Sequence, residues 1–281
     1  PQVFLAPAAR LGYIWEKGRC IVPALPPILF EDETLIAFDK PAELLTAPDR
    51  WDPDAWNLMH MIHRQLSPDY FNVHRLDKAA SGVLLCAKKR DTLKAVCRLF
   101  ESGDVTKEYL ALVSGVPQKE SSVIRLPLGR DPRHPGRMRV QKGGEGRRSR
   151  TSYQVLEHWR GHSLLKVFPL TGRTHQIRVH LSAIGYPILS DPLYGGGQLL
   201  LSKLKPGYKF KANKDERPLI RRLALHSHRL SFVHPQTGQP VAIESPMPKD
   251  FLVSLKYLRL YSSGGDCTPQ PVTVADPEEE V

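Results

Sequence analysis

Several features that mark other classes of protein are absent from this sequence. No apolar run approaches the roughly 18 residues that a membrane-spanning helix needs, and the N-terminal residues show no signal-peptide pattern. The four cysteines form no CxxC pair and have no spacing typical of metal ligands, which favours free thiols in a reducing compartment. A glycine-rich nucleotide-binding loop is also missing. We therefore expect a cytoplasmic protein without a transmembrane helix.

Acidic residues are fewer than basic ones. The sequence has 29 Asp and Glu against 40 Lys and Arg, which gives a net charge of +11 and an isoelectric point of about 9.6. Five of the acids lie in the last twenty residues, which contain no Lys or Arg, so the preceding part carries +16. This charge favours a polyanionic partner, but it suits RNA, DNA and an anionic membrane equally.

Composition divides the sequence into three parts. With 41% apolar residues in 281, the chain can bury a full hydrophobic core. Residues 1–27 are rich in Pro and small residues without periodicity, and we interpret them as an N-terminal arm. Residues 28–261 contain the alternating strand and helix patterns of a folded domain. Residues 262–281 form an acidic tail that we expect to be disordered.

The most informative stretch places one acid among basic residues just before a short apolar run. Residues 83–87 have the length of a buried strand, and Ser81 with Gly82 predicts a sharp turn before it. Asp77 would then lie on a loop that leads into a sheet. Its carboxylate should stay ionised, as a nucleophile or base requires, because three basic residues lie nearby: His74, Arg75 and Lys78. A lone Asp near an Arg more often only caps a turn.

A second stretch, residues 170–187, predicts a helix with a basic face. Thr174 would cap this helix, and Gly185 with Pro187 would end it. His175 and Arg178 are three positions apart and share one side. A generic anion site at a helix N-terminus explains this pattern as well as a catalytic role does.

Both stretches resemble motifs of one enzyme family. Residues 74–82 are similar to the HRLD-x-x-[ST]-SG signature of the RluA-type pseudouridine synthases, except that Ala80 stands where most relatives have Thr. Residues 172–180 are similar to the family's G-R-[ST]-H-Q-[IL]-R-x-H motif. Three shorter resemblances occur in the family's order: Lys-Pro at 40–41, K-x-Y-x-A-x-V at 107–113 and L-x-L-H-A at 223–227. The resemblance runs from about residue 28 to residue 261.

The resemblance implies a fold and a function. The family isomerises uridine in structured RNA and flips the target base out of its stack. Its fold class is α+β, with a mixed, mostly antiparallel sheet, flanking helices and a central active-site cleft. Many relatives carry a separate N-terminal RNA-binding domain, for which the arm is too short to be complete. We accordingly expect an enzyme that acts on rRNA, tRNA or both, without cofactor, metal or membrane partner, as a monomer.

The resemblance also implies roles for individual residues. The catalytic set would be Asp77 as the carboxylate, Arg178 as its partner and Tyr109 stacked on the base. Asp77 would either attack the sugar or remove a sugar proton, and the sequence leaves both routes open. Arg75 would fill the gap left in the RNA stack. The remaining substrate-binding residues would be His74, Arg173, His175 and Leu225.

Two basic segments are candidate RNA contacts. Residues 130–150 contain eight Lys and Arg, four Gly and two acids, which predicts a long mobile hairpin or loop facing phosphates. Residues 195–217 form a second insertion with five lysines.

Two other functions are compatible with parts of the sequence. The first is a catalytically silent RNA-binding protein or RNA chaperone on the same scaffold, for which Ala80 is the only indication. The second is a metal-dependent hydrolase with Asp77 as a ligand, which needs a second acid, and Asp69 is the candidate in the preceding loop. His226 and His228 share a strand face, but no acid or Cys lies near them in sequence.

Overall fold

The computed structural model describes residues 24–48, 55–208 and 215–262, together with the backbone of two short strands in the predicted arm. The strands are β1 (Ile14–Glu16), β2 (Arg19–Ile21), β3 (Ile28–Glu31), β4 (Leu35–Lys40), β5 (Phe71–Asn72), β6 (Ser81–Ala87), β7 (Thr106–Ser114), β8 (Ser121–Ile124), β9 (Leu128–Arg130), β10 (Met138–Val140), β11 (Thr151–Trp159), β12 (His162–Pro169), β13 (Leu225–Val233) and β14 (Pro240–Glu244). The helices are α1 (Leu58–Gln65), α2 (Arg90–Ser102), α3 (Gln176–Ala183), α4 (Leu201–Leu204) and α5 (Lys249–Tyr261). Apart from Ser262, the predicted acidic tail lies outside the described residues.

One large sheet organises the domain. Its ten strands include a continuous path in the order β3-β4-β6-β13-β7-β12-β11-β8, with β5 paired to β6 and β14 paired to β13. All neighbours are antiparallel except β6 and β13, which run parallel. The expected α+β class with a mixed, mostly antiparallel sheet is confirmed. The strand pairs β1-β2 and β9-β10 form separate hairpins.

Strand β6 is completely buried because both of its faces are covered. All seven of its residues are buried, which explains why its sequence is a continuous apolar run without alternation. On one face, Leu84 packs in a cluster with Leu58 and Ile62 of α1. On the other, Leu85 packs in a cluster with Val96 of α2.

The pair Ser81-Gly82 lies within β6 and does not form the predicted turn. The turn comes earlier, where the Ala80 N–H donates to the Asp77 carbonyl oxygen at 3.1 Å. Gly82 has φ +111°, and a Cβ there would stand 2.1 Å from the carbonyl oxygen of Ser227 in β13. Glycine is therefore required by the close approach of two parallel strands, a reason that local sequence does not reveal.

Local sequence explains how the helices begin and end. Asn57 Oδ1 caps α1 by accepting from the His60 N–H at 2.9 Å. Helix α2 ends at its C-cap Gly103, which has a left-handed φ of +90°. The last helix, α5, buries Phe251, Leu255 and Leu258. None of the described helices is long and apolar enough to cross a membrane.

Candidate active site

The loop that carries Asp77 is held from both sides by the segment after β4. Lys40 Nζ donates to the carbonyl oxygen of Lys78 at 3.2 Å, and also to two carbonyl oxygens of its own loop at 2.7 and 2.8 Å. Thr46 Oγ1 bonds both the N–H and the carbonyl of Leu76, at 3.2 and 3.1 Å. The backbone on each side of Asp77 is thus fixed, while 23% of its side chain remains exposed. A substrate atom can reach this carboxylate.

Lys40 is an unusual group beside this loop because it is fully buried. Burial lowers the pKa of Lys40 to about 7, although the charge of Asp77 opposes this shift. Its three carbonyl acceptors match the three N–H bonds of the protonated amine, which favours the charged form. The sequence predicted only the resemblance of the Lys-Pro step, and the structure adds its function as a clamp on the loop.

Arg178 has a tighter partner than the one implied by the resemblance. Its Nη1 lies 3.4 Å from Asp77 Oδ2, the partner that the resemblance implies. Its Nε and Nη2 each donate to a different carboxylate oxygen of Asp191 at 2.8 Å. Arg178 is 5% exposed and Asp191 is 0% exposed, so this is a buried bidentate ion pair. Burial lowers the pKa of Arg178, but the Asp191 hydrogen bond and the charges of both acids raise it overall.

Asp191 was missed by the sequence analysis. The loop around it is tightly built, because Ser190 adopts the left-handed region at φ 57°. A Cβ at Gly196 would stand 1.8 Å from the carbonyl oxygen of Ile188. A buried arginine needs a carboxylate partner, but the burial of Arg178 is decided by the fold, so the sequence carried no signal for Asp191.

Helix α3 begins one residue later than predicted. Residue His175 occupies the N-cap position with φ 54°, so the prediction that Thr174 caps the helix is wrong. The Gln176 side chain stabilises this helix start, since its oxygen accepts from the Arg173 N–H and the Thr171 hydroxyl. Its amide nitrogen donates to the Arg150 carbonyl oxygen at 2.8 Å. The long side chain of Gln176 folds back on the preceding turn and stabilises the helix start in place of the expected Thr174 cap.

Tyr109 and Leu225 lie on neighbouring central strands. In β7 and β13, Tyr109 is paired with Ser227, and Leu225 is paired with Ala111 two positions along. Burial, together with the nearby charge of Asp77, raises the pKa of Tyr109 to about 12, against a hydrogen bond from Ser227 that lowers it. The Tyr109 phenol is therefore protonated at neutral pH.

Known proteins with similar sequences identify the family. The sequence model of the RNA pseudouridylate synthases matches residues 34–183, more than half of the 281 residues. The chain belongs to the RNA pseudouridylate synthase family. It is 39% identical over 236 residues to the ribosomal large subunit pseudouridine synthase D of Nitrosomonas europaea and 35% identical over 236 residues to the protein of that name from Xanthomonas campestris pv. campestris. Both alignments cover 83% of this chain but 65% and 69% of the relatives, so it spans about two thirds of their length.

Two solved structures of family members share the fold. The human RNA pseudouridylate synthase domain containing 4 superimposes with a TM-score of 0.61 and 26% identity, covering 83% of this chain and 92% of that one. The human RNA pseudouridylate synthase domain containing 1 gives a TM-score of 0.58 and 25% identity, covering 87% of this chain and 100% of that one. The fold expected from the motifs is therefore that of the family.

Among the residues implied by the family motifs, three come together around the Asp77 carboxylate. The charge of Asp77 acts on Tyr109 of β7 and on His175 and Arg178 at the start of α3. Burial is the largest influence on His175 and lowers its pKa. His175 Nδ1 lies 2.8 Å from the hydroxyl of Tyr194, a residue to which the sequence analysis gave no role.

The structure also gives the surroundings of three more of the predicted substrate-binding residues, His74, Arg75 and Arg173. His74 Nε2 accepts from the Leu85 N–H at 3.1 Å and its ring stacks on Phe100, so its described contacts are structural. Burial lowers the pKa of His74 to about 4. Arg75 is exposed beside the Asp77 loop. Arg173 is exposed as well, with Nε 3.4 Å from the Arg148 carbonyl oxygen.

The two strand histidines have contacts within the fold. His226 Nδ1 lies 2.9 Å from Ser81 Oγ, and the rings of both His226 and His228 contact the Ser245 carbonyl oxygen. Within the described ranges, no group of three or more His, Cys, Asp or Glu residues is arranged to hold a metal ion.

Proposed function

We propose that this protein isomerises uridines in structured RNA to pseudouridine, with Asp77 as the catalytic carboxylate. The observation that carries the proposal is a partly accessible carboxylate on a clamped loop, 3.4 Å from a buried arginine that a second acid holds in place. Isomerisation breaks the bond from ribose to the ring nitrogen, turns the uracil and rejoins it through carbon 5. This sequence of steps is redox-neutral and adds no group, so one positioned carboxylate suffices to begin it.

The residues around Asp77 have complementary roles in this proposal. Arg178, held by Asp191, orients the carboxylate through a charge-assisted hydrogen bond, whether Asp77 attacks the sugar carbon or removes a sugar proton. Tyr109 offers an aromatic face on which the flipped uracil stacks, next to the buried Leu225. Arg75 is exposed beside the loop and fills the vacated position in the RNA stack, which offsets part of an unstacking cost of about a few kcal/mol.

The hairpin of β9 and β10, with the loop that follows it, is the proposed contact with RNA phosphates. Strands β9 and β10 pair as an antiparallel hairpin. The hairpin and the loop carry the basic residues Arg130, Arg133, Arg137, Arg139, Lys142, Arg147, Arg148 and Arg150. Phosphate contacts position RNA without reading its sequence, so the target remains to be found by assay. The names of the two bacterial relatives make ribosomal RNA the first substrate to test, with tRNA beside it. Of the five lysines in the second insertion, Lys209, Lys211 and Lys214 lie outside the described residues.

The silent RNA-binding alternative rested on Ala80. Ala80 is 2% exposed and packs in the largest apolar cluster, while its N–H still closes the turn at Asp77. A methyl side chain therefore fits this position without disturbing the loop. We propose that the exchange of Thr for Ala is compatible with catalysis.

Release of tritium from uracil labelled at carbon 5 tests the proposed function. Wild type and Asp77→Asn are compared on ribosomal and transfer RNA transcripts, with RNA affinity measured for both proteins. We expect release by wild type, none by Asp77→Asn and equal affinity, because the exchange removes the carboxylate but keeps its shape. Turnover by Asp77→Asn would remove Asp77 from its role. Tight binding without release by wild type on either RNA would favour the silent alternative.

A further inference from the structure

Tyr194 connects the basic hairpin to the active site through its hydroxyl group. It follows the Asp191 loop and is 5% exposed. The backbone N–H of Met138 in β10 donates to the Tyr194 hydroxyl at 2.9 Å. The same hydroxyl lies 2.8 Å from His175 Nδ1. An N–H can only donate, so the hydroxyl accepts from Met138 and its own proton is free for His175.

This arrangement favours one neutral tautomer of His175. If the Tyr194 hydroxyl donates to Nδ1, the neutral imidazole carries its proton on Nε2. Burial already disfavours the charged ring and lowers the pKa of His175. The hydroxyl of Tyr194 thus selects the tautomer and orientation of a histidine on which the charge of Asp77 acts.

The ring of Tyr194 makes a second connection. Its centroid lies 5.0 Å from the guanidinium carbon of Arg178, which faces Asp77, and 5.3 Å from that of Arg137 on the hairpin. Tyr194 also belongs to an apolar cluster in which Leu128 of β9 and Val179 of α3 are buried. The hairpin is therefore docked on α3 through the same aromatic ring that contacts Arg178.

We propose that Tyr194 is a positioning residue that couples the basic hairpin to His175 and Arg178 beside Asp77. The inference rests on the proposed function, since it needs RNA phosphates to bind the hairpin. Phosphate contacts that hold the hairpin also hold the Met138 N–H and the Arg137 guanidinium. These two groups orient the hydroxyl and the ring of Tyr194, and Tyr194 orients the two side chains next to the reacting carboxylate.

Tyr194→Phe tests the hydroxyl connection, because it keeps the ring and its packing. The single-turnover rate at saturating RNA should fall about tenfold, with unchanged RNA affinity, since about one hydrogen bond of orientation is lost. Tyr257→Phe, which removes a hydroxyl from α5, is the matched control and should behave as wild type. Nitrogen NMR of labelled histidine should also show that His175 loses its single tautomer. A wild-type rate and an unchanged His175 spectrum in Tyr194→Phe would overturn the proposal.

Two hairpin arginines test the ring connection and keep the proposal falsifiable if Tyr194→Phe does not fold. Arg137 contacts the Tyr194 ring, whereas Arg133 is exposed near the same hairpin turn. Both Arg137→Ala and Arg133→Ala should weaken RNA binding and its salt dependence. At saturating RNA, only Arg137→Ala should also lower the single-turnover rate. Equal rates for the two variants would overturn the coupling, whereas no tritium release by wild type would refute the proposed function itself.

Discussion

At the residue scale, the candidate site depends on how one buried arginine is held. Arg178 uses three nitrogen atoms, two on Asp191 and one on Asp77. The two contacts differ in strength, because the first is bidentate and fully buried while the second is longer and joins a carboxylate that is partly exposed. Asp191 thus stabilises the arginine, and Asp77 is left available to a substrate.

This difference in strength predicts different losses of stability for two isosteric variants, Asp191→Asn and Asp77→Asn. Asp191→Asn should lower the free energy of unfolding by about 3 kcal/mol, because it leaves a buried guanidinium with only the longer contact to Asp77 as a charged partner. Asp77→Asn should change it by less than about 1 kcal/mol, because a long, partly solvated ion pair contributes little. Urea denaturation of both variants checks the prediction.

The activity of the same two variants separates their roles. Asp191→Asn should lower turnover through the misplaced Arg178 while retaining RNA affinity, whereas Asp77→Asn should abolish turnover. Equal losses of stability in the two variants would show that Asp191 does not carry the main anchoring contact.

At the element scale, the close parallel pairing of β6 and β13 decides the geometry of the sheet. These strands form the parallel pair that brings the Asp77 turn beside β7 and β13. Gly82 makes this approach possible, since its φ of +111° and the nearby Ser227 backbone leave no space for a Cβ. Periodicity predicted strand β6, but it gave no information about which strand lies against its first residues.

A pair of glycine variants tests the importance of this parallel pairing. Gly82→Ala should destabilise the protein by more than about 4 kcal/mol or prevent folding, because it combines a left-handed φ with a backbone clash. Gly103→Ala is the control, since Gly103 has φ +90° but nothing within 4 Å of an added Cβ. It should cost about 1 kcal/mol. Similar melting temperatures of the two variants would contradict the prediction.

At the scale of the whole molecule, burial of neutral histidines should make stability depend on pH. Burial lowers the pKa values of His74 and His226 to about 4 in the folded protein. The unfolded chain has ordinary histidines with pKa about 6.5, so it binds more protons than the folded state between about pH 6.5 and about pH 4. Stability is therefore full above this window and falls as the pH decreases through it.

The expected slope is about 1 kcal/mol per pH unit for each histidine, measured by urea denaturation at about pH 7 and about pH 5. His74→Gln should reduce the slope, because it removes one of the buried histidines that titrate in this window. A slope that His74→Gln does not alter would exclude His74 as a source of the acid sensitivity.

The sequence by itself determined the family, the order of the main strands and helices and the candidate carboxylate. Burial of one face leaves a repeating apolar pattern, burial of both faces leaves a continuous apolar run, and the family motif leaves a run of adjacent residues at 74–77. Only the tertiary structure decided which side chains meet at Asp77. Asp191 reaches Arg178, Tyr194 reaches Met138, and Gly82 meets Ser227 through contacts between residues distant in sequence. Such contacts depend on the packing of whole elements, so neither residue of a pair carries a local signal for the other.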